Sequence, residues 1–147
     1  EIHAAIGIEQ IKKLPSFLNL RKENFDKLCD HFKELPFVRV LPQYSNENLK
    51  SSYYCLGLIL DNSKKNKREF IMSQLTSKGI GTSIYYPSPV PRMQYYQNKY
   101  GYDSQKYINA EAISDGIISF PVGPHLTIKN MDFIGEQFKS ILENLDV

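Results

Sequence analysis

The segment Gly79–Tyr96, which reads GIGTSIYYPSPVPRMQYY, decides how the fold of this chain is interpreted. Its first glycine is typical of a helix end, and the β-branched residues Thr82 and Ile84 favour a short strand. Three prolines then predict a stiff loop, which also carries four tyrosines. Each tyrosine ring combines apolar area with one hydroxyl group. Two interpretations stay open: a loop that contacts a ligand, or a surface segment whose rings cover a small core.

The composition indicates one globular domain. The chain has 147 residues, which suffices for a single core and is too short for two domains of ordinary size. Hydrophobic residues make up 41% and charged residues 23%. The net charge of +2 provides no electrostatic footprint for nucleic acid, and we expect no such partner. The basic run at 64–68 precedes a predicted helix, so a solvated turn is favoured over a phosphate site.

The lack of a recognisable targeting pattern and the small number of cysteines predict a cytoplasmic protein. No apolar run approaches the ~18 residues of a membrane span, and the first residues lack the charged-then-apolar pattern of a signal peptide. Cys29 falls on the apolar face of a predicted helix and Cys55 within a predicted strand. Both are therefore expected to be small core residues rather than a disulfide pair. We expect no membrane partner.

The first fourteen residues have a helical pattern but no capping residue. Apolar or small side chains occupy two sides of this helix, with Ile2, Ala5 and Ile6 on one side and Ala4, Ile8 and Ile11 on the other. A helix that is apolar on two sides needs neighbours on two sides. We expect it to link this domain to another part of a longer protein. Pro15 is predicted to end it and to open a second helix over Ser16–Leu35.

The remaining pattern predicts alternating short strands and helices. Strands are expected over 37–41 and 53–60, after Gly81, and over 117–120. In the second of these, Tyr54 is expected to share a face with the three leucines that follow it. Further helices are expected from a capping box at Asn66, over 95–102 and 109–115, and after a Thr127 cap. Phe70 is expected to be buried in the first of them. About four strands with flanking helices predict an α/β two-layer domain, its sheet mostly antiparallel or mixed.

No self-contained active site can be assembled from these residues. His3, His31 and His125 lie far apart without metal-ligand spacing, and no nucleophile elbow or paired-cysteine motif is present. His31 is interpreted as a partly buried structural residue and His125 as a turn residue. We therefore predict no catalytic residue and no metal site within this chain.

The candidate ligand contacts all lie in the opening segment. Tyr85 and Tyr86 are predicted to alternate in direction on a strand, one facing inward and one outward. The guanidinium of Arg92 suits a phosphate or carboxylate, although a solvent-facing position is equally compatible with the pattern. Gln94 follows as a further polar candidate.

Several blocks, in order, resemble the DegT/DnrJ/EryC1/StrS family of sugar aminotransferases. They cover nearly the whole chain and comprise AAIGIEQIKKL at 4–14, GIGTSIYYP at 79–87, YGY at 100–102, NAE at 109–111, ISFP at 118–121 and LT at 126–127. The resemblance implies that residues 1–147 are the C-terminal small domain of a fold-type-I pyridoxal-phosphate enzyme, with residues 1–14 linking to an absent large domain. It also implies a glutamate donor, a nucleotide-linked keto sugar as acceptor, and a homodimer.

In this family, the segment that matches 85–87 lies at the mouth of the active site, which implicates Tyr85 and Tyr86 in holding the sugar. Tyr85 stands where many members have histidine. Many members continue with a histidine and a glutamine where this chain has Pro91 and Met93. Because the family's histidine and glutamine are absent here, Arg92 and Gln94 are candidates for substrate contacts that differ from those of the family. The resemblance places the Schiff-base lysine outside this chain, so the fragment is expected to be inactive alone. Two alternatives are a dehydratase of the same family and a non-catalytic binding module.

Overall fold

The computed structural model describes residues 1–46 and 48–145, so the predicted domain 1–147 includes Glu47, Asp146 and Val147 outside the described residues. The elements are α1 (Ile2–Phe32), β1 (Val38–Val40), β2 (Cys55–Leu60), α2 (Arg68–Ser77), α3 (Gln94–Tyr100), α4 (Ile108–Gly116), β3 (Ile117–Pro121) and α5 (Ile128–Glu143). Short 3-10 turns occur at Lys65–Lys67, Val90–Arg92 and Ser104–Lys106.

The described residues form one antiparallel sheet of three strands in the order β1-β2-β3. The predicted α/β class with an antiparallel sheet is confirmed, but the fourth strand is wrong. Only Ser83 reaches the sheet, through an isolated bridge to Ser119 on β3. The segment that follows contains Pro87, Pro89 and Pro91, which have no backbone N–H to continue a ladder.

Helix α1 is continuous through Pro15, so the predicted helix break at this residue is wrong. A proline inside a helix removes one backbone hydrogen bond, here the one to the Ile11 carbonyl. All side chains from residue 1 to residue 16 are exposed, and water can hydrate that carbonyl. The second half of α1 buries Asn24, Phe25, Leu28 and Phe32, and it packs mainly on α5.

The core lies between the sheet and the helices α1, α2 and α5. Phe32, Phe120 and Phe138 form its centre, with ring centroids 4.9–5.1 Å apart. The central strand β2 is buried from Leu56 to Leu60 on both faces. On the second face, α4 approaches so closely that a Cβ on Gly116 would lie 2.7 Å from the Leu60 carbonyl oxygen.

The residues that open β2 and α2 depart from the prediction. Tyr54 is 64% exposed, because β2 begins only at Cys55. The expected capping box at Asn66 is absent, because this residue lies within a 3-10 turn and α2 begins at Arg68 without a side-chain cap. Ile71 is buried, whereas Phe70 is 52% exposed, since adjacent helical residues point about 100° apart.

Other local signals are confirmed. Gly79 has a φ of +78° after α2, in the left-handed region that glycine favours. Thr127 caps α5, accepting a hydrogen bond from the Asn130 backbone N–H, while the Asn130 side chain accepts one from the Thr127 backbone N–H. His31 is partly buried and hydrogen-bonded to Asp132 on α5 at 2.8 Å, as expected of a structural residue.

The two cysteines are free and half-buried. Burial raises the pKa of the Cys29 thiol to about 11 and also raises the pKa of Cys55. Within residues 1–46 and 48–145, no helix is long and apolar enough to cross a membrane. The same residues contain no cluster of histidine, cysteine and carboxylate side chains that could hold a metal ion.

Candidate functional site

Tyr85 and Tyr86 lie together at the surface, just after the bridge that joins Ser83 to β3. They are not on a strand, so the predicted inward and outward alternation is wrong: Tyr85 is 39% exposed and Tyr86 is 72% exposed. The two rings contact each other edge to face, with centroids 5.9 Å apart. The proline-rich segment that follows Tyr86 lies beside the C-terminal half of α4.

A cavity of about 270 Å³ opens beside Tyr85. Tyr54 stands opposite, with its ring centroid 6.2 Å from that of Tyr85, and hydrogen bonding to Tyr85 raises the pKa of the Tyr54 hydroxyl. Arg21 of α1 lies over the Tyr54 ring, with Cζ 5.9 Å from the centroid. The floor and rim are completed by Ser119, Gly123 and His125 among others. The cavity thus combines two phenol hydroxyls with one guanidinium.

The loop that forms the rim of this cavity is held by a buried side chain of α1. The Asn24 amide donates hydrogen bonds to the carbonyl oxygens of Gly123 and Leu126, both at 3.1 Å. The His125 ring packs on Gly123, where a Cβ would lie 2.6 Å from its Cε1 atom. This confirms the interpretation of His125 as a turn residue and places its exposed ring at the edge of the cavity.

A second, apolar cavity of about 520 Å³ lies on the other side of the tyrosine pair. It separates the proline-rich segment from α4, and its lining residues include Tyr85, Tyr86, Pro89, Val90, Met93, Ala110 and Ile113. Tyr85 therefore lines both the polar cavity and the apolar one, whereas Tyr86 lines the apolar cavity.

Arg92 fixes the proline-rich segment to the end of α4. Its Nη2 atom donates to Asp115 Oδ1 at 2.6 Å and its Nη1 atom donates to Oδ2 at 3.1 Å. Its Nε atom also donates to Ser88 Oγ at 3.3 Å. The hydrogen bond from Arg92 lowers the pKa of Asp115 and raises the pKa of Arg92. The guanidinium thus binds a carboxylate bidentately, as its chemistry predicts, but this carboxylate belongs to the same chain.

Gln94 is exposed in the first turn of α3, where its amide donates to Asn98 Oδ1 at 2.8 Å. It lines neither of the two cavities beside the tyrosine pair. The structure therefore brings Tyr85 and Tyr86 together at a cavity, whereas Arg92 and Gln94 lie further along the segment. Contact between any of these four residues and a substrate stays a prediction.

Arg21 and Tyr54 are site residues that the sequence analysis missed. Tyr54 comes to Tyr85 only through the pairing of β2 with β3, which no local pattern indicates. For Arg21 a signal was present. It lies four residues after Phe17 and four before Phe25, so a charged residue falls on the apolar stripe of α1. Such a position indicates an arginine that is partly covered by the fold.

The described residues do not supply a site for pyridoxal phosphate by themselves. The cofactor is held through a lysine amine, and no lysine lines either cavity beside Tyr85. These residues fit a substrate-contacting surface, and a lysine from elsewhere would be needed for the cofactor.

Comparison with known proteins places this geometry in context. The UDP-4-amino-4,6-dideoxy-N-acetyl-beta-L-altrosamine transaminase of Campylobacter jejuni is 25% identical over 99% of this chain and 37% of its own length. The GDP-4-keto-6-deoxy-D-mannose 3-dehydratase of Escherichia coli O55:H7 is 35% identical over 54% of this chain and 20% of its own length. Spr1654 from Streptococcus pneumoniae, solved in its PLP form, superimposes with a TM-score of 0.82 at 27% identity, over 96% of this chain and 35% of that chain.

The chain thus spans less than two fifths of the length of these relatives. The family description for DegT/DnrJ/EryC1/StrS aminotransferases matches residues 1–139, which confirms the resemblance that the sequence blocks indicated. The chain belongs to the DegT/DnrJ/EryC1/StrS aminotransferase family.

Proposed function

We propose that this chain is the C-terminal small domain of a pyridoxal-phosphate-dependent enzyme that moves an amino group from glutamate to a nucleotide-linked keto sugar. The observation that carries the proposal is the family match over residues 1–139. The name of the Campylobacter jejuni relative, a transaminase for a UDP-linked amino sugar, supports the class of acceptor. The glutamate donor is the usual one in the family that the sequence blocks resemble.

In this proposal the small domain contacts substrate and does not carry out the chemistry alone. Pyridoxal phosphate, when bound, supplies an electron sink for the amino-group transfer. None of the described residues that line the cavities beside Tyr85 is a lysine, so we expect the lysine that holds the cofactor to lie in the region that corresponds to the rest of the relatives' length. The 147-residue chain is therefore expected to be inactive by itself.

Tyr85 and Tyr86 are the proposed sugar contacts. Both rings are accessible, and each offers a hydroxyl together with an apolar face, which suits the alternating polar and apolar surfaces of a sugar. Gln94 is proposed as a peripheral contact, because it is exposed on the same segment. For Arg92 we propose a positioning role, since its pair with Asp115 holds the segment that carries the tyrosines.

The proposal extends to a homodimer in the cytoplasm. Residues 1–16 of α1 are exposed and carry apolar side chains on two sides, which supports contact with a further domain or subunit. The free thiols of Cys29 and Cys55 are compatible with a reducing compartment.

The test uses the complete gene product that contains residues 1–147, assayed with pyridoxal phosphate, glutamate and a panel of nucleotide-linked keto sugars. We expect visible absorbance from bound cofactor and an amino-sugar product identified by mass spectrometry. Tyr85→Phe and Tyr86→Phe should raise KM for the sugar, with Tyr100→Phe as a matched control, because Tyr100 is 71% exposed and lines neither cavity. A protein that binds no cofactor and forms no amine contradicts the proposal and favours a non-catalytic binding module.

A dehydratase is the second candidate, and one observation favours it. The Escherichia coli 3-dehydratase is 35% identical over 80 residues, a higher identity than the transaminase relative has. The same assay separates the two, because a dehydratase product has lost a hydroxyl group and gained no amino group. The identity of the Schiff-base position, lysine or histidine, is the corresponding sequence observation.

A further inference from the structure

Among the described residues, those that line the 270 Å³ cavity beside Tyr85 include one arginine, Arg21, and no lysine. Its guanidinium carries a positive charge at every physiological pH. None of the lining residues within 1–46 and 48–145 is acidic, so no carboxylate among them neutralises this charge. An arginine in such a position differs from Arg92, whose charge is matched by Asp115.

One hydrogen-bond donor of Arg21 also lacks a partner among the described residues. Its Nε atom is inaccessible to solvent and has no hydrogen-bond partner within residues 1–46 and 48–145. A buried donor without an acceptor costs about 1–3 kcal/mol, and more for a charged group. An arginine that merely covers apolar surface with its stem would leave its head in water. The burial of Nε instead indicates a guanidinium that is held inside the cavity wall.

The Tyr54 ring orients this guanidinium. Its Cζ atom lies 5.9 Å from the centroid of the Tyr54 ring, within the range of a cation–π contact. The Tyr54 ring in turn contacts Tyr85. A guanidinium that is fixed in this way loses little freedom when it binds a planar or tetrahedral oxyanion. Tyr85 also lines this cavity and contributes a second hydroxyl group beside that of Tyr54.

We propose that the cavity between Arg21 and Tyr85 binds an oxyanion, a carboxylate or a phosphate, with Arg21 as its cationic partner. The inference rests on the proposed function only in assigning this oxyanion to a substrate of the enzyme. Two sources have the same chemistry: the carboxylate groups of an amino-acid donor and the phosphates of a nucleotide-linked sugar. The anion-binding site itself is defined by residues of this chain.

The test is isothermal titration calorimetry of the complete gene product, saturated with pyridoxal phosphate so that the phosphate site of the cofactor is filled. Glutarate serves as the carboxylate probe, methyl phosphate as the phosphate probe, and chloride at equal ionic strength as the blank. We expect one of the two oxyanions to bind well above chloride, and the one that binds identifies the source. Arg21→Gln should weaken this binding about tenfold or more, because a charged hydrogen-bond donor is lost.

Arg39→Gln is the matched control, because Arg39 is exposed on β1 and does not line the cavity. Its affinity for the oxyanion should equal that of the unmodified protein. If Arg21→Gln fails to fold, Arg21→Lys decides the question, since lysine retains the charge but has no Nε–H and no planar fork, and should bind several-fold more weakly. Tyr85→Phe should weaken binding to a smaller extent.

Three outcomes overturn the proposal: neither oxyanion binds better than chloride, the Arg21 variant that folds binds as tightly as the unmodified protein, or Arg39→Gln weakens binding equally. A gene product that takes up no cofactor contradicts the proposed function alone, because the same titrations on the unloaded protein still decide the anion site. Conversely, transamination without any effect of Arg21 on oxyanion binding contradicts only the present inference.

Discussion

Asp115 accepts hydrogen bonds from both Nη atoms of Arg92, and this ion pair joins the segment that carries the tyrosines to α4. Asp115→Asn keeps the shape of the side chain and removes its charge. We expect the free energy of unfolding to fall by about 1 kcal/mol at pH 7, since the pair is bidentate and partly buried. Urea unfolding of both proteins measures this difference.

The pH dependence of that difference follows from the lowered pKa of Asp115. Arg92 holds this pKa below the ordinary value of 3.8, so the carboxylate stabilises the folded protein most when it is ionised. The contribution is complete well above pH 4, begins to fall as the pH approaches 3.8, and is lost once the pH passes below the folded-state pKa. The stabilities of the unmodified protein and Asp115→Asn should therefore converge as the pH falls below 3.8 and through the folded-state pKa, and a difference that stays constant over this range would rule out the pair as its source.

Gly135 on α5 faces His31 on α1, and a side chain at this position has no room. A Cβ would lie 2.3 Å from His31 Cγ and 2.7 Å from His31 Cβ. The ring is itself bound to Asp132, so it cannot move aside freely. We expect Gly135→Ala to destabilise the fold by about 1–3 kcal/mol, as overpacking does.

Gly7→Ala is the control for that measurement. Gly7 is also inside a helix, but no atom lies within 4 Å of a Cβ placed there. Alanine should therefore stabilise α1 by up to about 1 kcal/mol through helix propensity alone. Thermal unfolding of the two variants should show shifts of opposite sign, and a stabilised Gly135→Ala protein would disprove the packing of His31 on α5.

At the scale of elements, Asn24 joins α1 to the loop between β3 and α5. Removing its amide in Asn24→Ala leaves the carbonyl groups of Gly123 and Leu126 without their donor. We expect a loss of about 2 kcal/mol in unfolding free energy, because the site is buried. Asn19→Ala is the control, since Asn19 is exposed and its amide donates a hydrogen bond to the equally exposed Glu23. Equal stabilities of the two variants would contradict this assignment.

Elements marked by strong local chemistry were predictable from the sequence. Gly79 was expected to adopt a left-handed conformation at a helix end, and Thr127 was expected to cap a helix with its side chain. Both features are present in the structure. The predicted helix break at Pro15 was wrong because the free energy that a proline costs inside a helix depends on whether water reaches the carbonyl group it leaves unpaired. The sequence pattern does not reveal that exposure. The fourth strand failed for a related reason, since strand formation after Gly81 depended on pairing with β3 beyond Ser83.

At the scale of the molecule, the sequence pattern identified one of the three side chains that characterise the polar cavity. Tyr85 belongs to a segment whose composition is unusual, so it could be singled out locally. Arg21 and Tyr54 belong to segments of ordinary composition, and only tertiary contacts bring them to the same place. Arg92 was singled out as a candidate ligand contact, but its guanidinium pairs with Asp115 of the same chain, which could be foreseen only by knowing how α4 lies against the segment.

The exposed half of α1 predicts self-association of the 147-residue chain. Ile2, Ile6, Ile8 and Ile11 are each more than half exposed. Such a surface is expected to associate in water, so sedimentation velocity should show a mass that rises with concentration. The double variant Ile8→Glu/Ile11→Glu should reduce this association, whereas Leu49→Glu, at an exposed loop residue, should not. A monomer at all concentrations would contradict the prediction.

The unbroken course of α1 through Pro15 has a geometric consequence for anything that binds its free half. Residues 1–16 extend about 24 Å. Because the helix is continuous, the directions in which their side chains point are fixed relative to the half that packs on α5. One residue inserted between Pro15 and Arg21 would advance the free half by about 100° and move it about 1.5 Å along the axis. The packing of α1 in the core of this domain therefore sets both the direction and the rotation of its exposed N-terminal half.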